Sequence, residues 1–239
     1  MVQVVYALLA GSFLIGFVFF GVGTGGLGSI SDLFRNNSGG STSSQFDSAI
    51  NAANQKLTKN PKDSAALLKL AENEWFKAKT GISQDQNTGQ VSISSDAHTA
   101  LGQSADAWAK YLKVNKAKPD TGVAAEMTQV YYLLNDFPGA ANAQQIVVAK
   151  TPNSGTYGQL AFFEYAAFRI PAGDQAAKKA EGMAPKLQRK TLKTQLDQIR
   201  SQAVKLKKQQ AKAQKNAPPP TSPGANPLQN PLGGASTGP

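Results

Sequence analysis

Apolar residues are distributed along this chain in distinct regimes. From Val2 to Gly23 they run almost unbroken, VQVVYALLAGSFLIGFVFFGVG, with no charge and only Gln3 and Ser12 clearly polar. At 1.5 Å per residue, about 20 such residues span roughly 30 Å, the hydrocarbon thickness of a bilayer, so the stretch predicts a transmembrane helix over residues 2–23. A cleavable signal peptide would open on basic residues and carry a shorter apolar stretch, which points to a retained anchor. A core helix this uniformly apolar would need protein on every side.

Residues 24–45 turn to Gly, Ser, Thr and Asn, with Ile30, Leu33 and Phe34 as a small apolar island, and predict a flexible linker. Over residues 46–184 apolar positions return in alanine-rich segments without internal proline, such as GVAAEMTQVYYLLN and GAANAQQIVVAK, which predict helices. The breaks between them share a formula. KNPKDS (Lys59–Ser64), AKPDTG (Ala117–Gly122) and KTPNSG (Lys150–Gly155) each carry a lysine, a proline and small polar residues. Proline lacks an N–H and disfavours helix in its predecessor, and the Asp, Asn, Ser or Thr that follows can cap the next helix.

The punctuation is periodic. Pro119 and Pro152 are 33 residues apart, and so are Pro138 and Pro171, Tyr132 and Tyr165, and Ala143 and Ala176, so the repetition reaches into the helices. Pro61 to Pro119 is 58 residues, about 24 more than one 34-residue unit needs. GISQDQNTGQVSIS (Gly81–Ser94) supplies much of the excess and predicts an insertion near 81–95, an exposed loop with a strand-like VSIS.

These residues resemble the tetratricopeptide repeat (TPR) family, whose unit has W-x2-L-G-x2-Y in its first helix and A-x3-F then P in its second. Ala107, Tyr111 and Pro119 match the second-helix half; Leu67, Leu70 and Ala71 fit first-helix positions after Pro61. Tyr132 with Ala141, and Ala49 with Pro61, keep the family's intervals. Thr128 and Gln129 stand in place of Leu-Gly, Gln145 in place of an aromatic, Glu74 in place of a tyrosine and Asp174 in place of an alanine. Ankyrin repeats share the period, but T-P-L-H-x-A is absent. The resemblance implies an all-α, helix-turn-helix solenoid whose concave groove takes a protein or peptide partner. Carried over by register, Leu68, Glu72 and Trp75, then Glu126, Val130 and Leu133, then Gln159 and Phe163 would line the first-helix face. Core packing is the competing assignment for Trp75 and Phe163.

Charge changes the picture at one end. The formal net charge is +10, and twelve of the 25 basic residues lie between Lys178 and Lys215, opposed only by Glu181 and Asp197. A terminal helix is expected over residues 185–215, with Leu192, Leu196, Ile199, Ala203 and Leu206 forming a narrow seam that caps the last repeat. Its other face carries Lys193, Arg200, Lys205, Lys207, Lys208, Lys212 and Lys215. Lys205, Lys207, Lys208, Lys212 and Lys215 are the candidate surface for anionic lipid or polymer. No aromatic residue interleaves with them, which argues against single-stranded nucleic acid. Residues 216–239, rich in Pro and Gly, predict a disordered tail.

Catalytic chemistry is not apparent in the sequence. There is no cysteine, one histidine (His98), and no H-E-x-x-H, P-loop or G-x-S-x-G. Gly21, Gly23 and Gly26 satisfy G-x-G-x-x-G, but a membrane-length helix stands where that fingerprint needs a strand. No cofactor or metal is expected. Only Arg35 lies close to the apolar run, so the positive-inside rule barely decides orientation, and a short uncharged anchor favours an extracytoplasmic domain. The expected protein is a single-pass, membrane-anchored, non-enzymatic docking or chaperone-type module, similar to bacterial envelope TPR proteins. Two alternatives stand beside it: a structural tether using the basic helix, and a cytosol-facing nucleic-acid binder.

Overall fold

The computed structural model describes residues 43–85, 90–115 and 117–215. The apolar run of residues 2–23, the linker up to residue 42 and the tail 216–239 lie outside the described residues. Among those described, no helix is long and apolar enough to cross a membrane.

The described residues form helices and one small hairpin. Helices α1 (Ser43–Lys59) and α2 (Ser64–Thr80) lead into strands β1 (Ile82–Gln84) and β2 (Val91–Ile93). Six further helices follow: α3 (Ser95–Val114), α4 (Thr121–Leu133), α5 (Phe137–Lys150), α6 (Ser154–Ala166), α7 (Ile170–Met183) and α8 (Lys186–Lys215). Helix α1 opens three residues earlier than the composition shift at residue 46 indicates, because serine is tolerated in a first turn.

Five helices begin on a side-chain cap. Asp63, Ser94, Asp120, Asp136 and Asn153 each accept the backbone N–H three residues on, contributing about 1 kcal/mol apiece. Pro138 and Pro171 fall in the first turns of α5 and α7. They open those helices rather than end the preceding ones, since a first-turn residue has no intrahelical N–H bond to lose.

The 33-residue period survives as geometry. Both ends of α4 shifted by 33 give α6, and both ends of α5 shifted by 33 give α7. The turns inside the two pairs also match: Asn135 and Phe168, again 33 apart, have φ of 57° and 58°. Asparagine enters that left-handed region readily, whereas a bulky phenylalanine is strained there.

Short connections bring consecutive helices together, so each of α1 to α7 packs on its sequence neighbours, and α2 also reaches α4. One apolar cluster joins Leu67, Trp75, Leu101, Trp108, Met127 and Val130; a second joins Leu160, Phe162, Phe163 and Tyr165 to Leu196, Ile199 and Ala203 of α8. Tyr111 stacks on Trp108 at 5.1 Å, and its hydroxyl accepts from Asp120 N at 3.0 Å, fastening the AKPDTG turn to the core.

The excess between α2 and α3 folds as a hairpin. Ile82 pairs with Ile93 and Gln84 with Val91, so these side chains share a face, on which Ile82, Val91 and Ile93 pack against the first cluster, while Ser83 and Ser92 point outward and are exposed. Ser94 N donates to Gly81 O at 3.0 Å and closes the base. Residues 86–89 of the insertion lie outside the described residues.

Candidate functional site

The first helices of the pairs are where the sequence places a partner surface, and α2 and α4 face each other directly. Helix α2 buries Leu67, Ala71, Glu74, Trp75 and Ala78, a stripe repeating every three to four residues. Leu68 and Glu72 lie at its edge and are half-buried. Glu72 accepts from Lys69 Nζ at 2.7 Å, and the Lys79 ammonium sits 5.8 Å above Trp75 and 5.9 Å above Phe76. On α4, Glu126 and Leu133 are half-buried, and Glu126 lies within electrostatic reach of Glu72, Lys69 and Lys79.

Glu126 is the electrostatic centre of this face. Burial and then the neighbouring Glu72 charge push its carboxyl up from 4.5 to about 7, against the opposing pull of Lys79 and Lys69; Asp120 adds to the rise. Its Oε2 is buried without a hydrogen-bond partner, and so is Oε1 of Gln129, one turn further along α4. An acceptor in that condition costs on the order of 1–3 kcal/mol.

Four of the positions assigned to the groove by register belong to the core. Trp75 and Val130 are 2% and 0% exposed in the first cluster, Phe163 is 1% exposed in the second, and Gln159 is 8% exposed. For Trp75 the cause is its place on the buried stripe of α2 rather than on the edge with Glu72. For Gln159 and Phe163 the cause is the setting of α6, which is buried at almost every position from Thr156 to Tyr165 between α5, α7 and α8. Gln159 Oε1 accepts from the Gln144 amide at 3.2 Å, so it serves an internal polar contact. Leu68, Glu72, Glu126 and Leu133 keep accessible surface.

Lys69, Lys79, Asp120 and Gln129 also belong to this face, and the sequence reading missed them. Helical spacing carried the signal for three of them: Lys69 and Lys79 stand three before and seven after Glu72, and Gln129 stands three after Glu126. Elsewhere, Glu74 is buried and burial raises its carboxyl above the usual range; the Gln103 amide nitrogen, turned toward it, donates to both oxygens at 3.1 Å. Lys205, Lys207, Lys208 and Lys212 are exposed on α8, which includes Lys215 as its last residue.

Among the described residues, no three His, Cys, Asp or Glu side chains are grouped to hold a metal ion. Comparisons of the chain with models of protein families, with curated proteins and with solved structures find no match.

Proposed function

We propose that this chain is a membrane-anchored, TPR-like helical-repeat protein that works as a non-enzymatic docking module. The supporting observation is the recurrence of a whole helix pair, with all four helix ends displaced by 33 residues. Stacked pairs of this kind form a solenoid, in which interior helices make the core and one edge of the first helices stays available to a partner. The partner is a protein or peptide presenting N–H donors or a lysine or arginine. Such a group answers the Glu72 and Glu126 carboxyls, which keep accessible surface on this face. The apolar residues 2–23 hold the module at a membrane, with the repeats on the extracytoplasmic side.

Binding of the full-length chain in nanodiscs to a displayed random-peptide library tests this. Glu72→Lys with Glu126→Lys is expected to abolish enrichment of basic peptides, and deletion of residues 205–215 to leave it intact. Enrichment indifferent to both carboxylates would overturn the assignment. The chain has no cysteine, so labelling of Ser41→Cys by an impermeant maleimide on intact cells reads the side of the membrane directly.

A further inference from the structure

The end of α8 differs from everything before it. Upstream, two of the helix's basic groups find acids: Lys193 pairs with Asp197 at 2.8 Å and Arg200 with Asp174 at 2.6 Å. Asp197 is the last acidic residue in the chain, and six of the ten net positive charges lie beyond it.

The lysines there are ordered. Lys205, Lys208, Lys212 and Lys215 are spaced three, four and three residues apart on a continuous helix. At 3.6 residues per turn, those positions fall within an arc of about 80° and run for roughly 15 Å along the axis. The opposite side of the same segment carries Leu206, Gln210, Ala213 and Gln214, with Lys207 as its one charge. A solubility device has no need of register; a stripe that gathers four of the five lysines after Arg200 presents its charge to a surface.

We infer that the stripe Lys205, Lys208, Lys212 and Lys215 docks on an anionic phospholipid surface. The geometry is that of a helix lying along a plane of phosphates: four lysine positions in line along one side of the helix, Lys207 alone about 80° beyond the arc, and no acidic residue in the segment to repel the headgroups. Base stacking on single-stranded nucleic acid is disfavoured, because no aromatic residue lies between Lys186 and Lys215. The choice of a bilayer over other polyanions rests on the membrane-anchored reading, since an apolar anchor at residues 2–23 would keep lipid phosphate permanently within reach. Each lysine near such a surface contributes about fivefold in affinity, a gain that falls off within a Debye length.

The test uses the full chain with Gln209→Cys as its single cysteine, labelled with a fluorophore and reconstituted into nanodiscs of phosphatidylcholine alone or mixed with phosphatidylglycerol. Quenching by a headgroup nitroxide is expected in the anionic discs, to fall steeply with salt, and to be absent in zwitterionic discs. Replacing all four lysines by glutamine, which preserves helix propensity, is expected to abolish it, with circular dichroism showing the helix intact. Equal quenching in both lipids, or quenching that survives the fourfold replacement, overturns the inference. Release of the label from anionic discs by stoichiometric oligonucleotide overturns it in favour of nucleic acid.

Retention of the chain in the disc through an alkaline wash separates the two proposals. Retention without quenching sinks the stripe alone. A chain that washes off the disc, yet is quenched on added anionic vesicles, sinks the anchor alone.

Discussion

Glu126 and Gln159 occupy the same place in successive helix pairs, 33 residues apart, and have opposite fates. Glu126 on α4 keeps accessible surface, has an unpaired buried oxygen and carries a carboxyl pushed up to about 7. Gln159 on α6 is enclosed and its oxygen is satisfied by Gln144. Register alone makes the two positions equivalent, and the neighbours make them different. Helix α4 shares its edge with the polar flank of α2, whereas α6 is enclosed by α5 and α7, with Leu196, Ile199 and Ala203 of α8 in the same apolar cluster. A repeat thus becomes a surface or a core according to what is packed upon it.

The largest effect that distinguishes the two regions is expected from truncation of the ring on α6. Phe163→Ala should destabilise the fold by about 3–5 kcal/mol in chemical denaturation, as loss of a fully buried aromatic does. Leu133→Ala on α4, half-buried, should cost no more than half of that. If Phe163→Ala folded with normal stability and lost only partner binding, α6 would be a docking face after all.

Next in size is a pH effect confined to the α2–α4 face. Folded Glu126 holds its proton up to about pH 7, against 4.5 for the ordinary group. Between those values the folded state binds the additional proton, so this group's contribution to stability falls as pH rises through the window. Glu126→Gln should therefore stabilise the protein above pH 7, by about 1–2 kcal/mol after allowance for solvent screening, and have little effect below 4.5. Thermal melts across pH 4–8 read this directly.

The α6–α8 region should show the opposite sense. Asp174 is held below the usual aspartate range by its hydrogen bonds from Arg200 and Tyr165. Its contribution is present above the ordinary value of 3.8 and lost at more acid pH, as the group takes up a proton. Arg200→Ala should shrink that contribution at neutral pH and leave melts in strong acid unchanged, an effect smaller than that of Glu126 because the pair is exposed.

The smallest expected change is at the matched turns. Phe168→Asn, which puts the residue type of Asn135 at the same φ, should relieve backbone strain of about 1 kcal/mol, offset in part by the loss of a half-buried ring. Asn135→Phe should destabilise by a similar amount. Paired melts of the two variants check the signs.

The helices were legible because their punctuation is chemical. Asp63, Asp120 and Asn153 cap where the proline-containing breaks announce a new helix, and the offset of 33 is the offset of the helix ends. The insertion was legible as excess length and a strand-like VSIS, but its second strand was not, since Ile82 and Gln84 take their partners only from the pairing across the hairpin. The site was half legible. The register carried over from the repeat resemblance reaches Glu72 and Glu126, but cannot say that the stripe through Trp75 turns inward, or that α6 is enclosed by its neighbours, because both depend on contacts made far away in sequence. The left-handed Phe168 was hidden for the same reason: its residue type argues against the conformation that the repeat imposes.

The most direct test of a docking face on α2 and α4 is peptide binding to the full-length chain, compared at the two equivalent positions. Glu126→Lys is expected to abolish binding of the basic peptides that the parent enriches, and Gln159→Ala to leave their affinity unchanged in the folded fraction. Loss of binding in Gln159→Ala alone, or none in Glu126→Lys, would contradict the account.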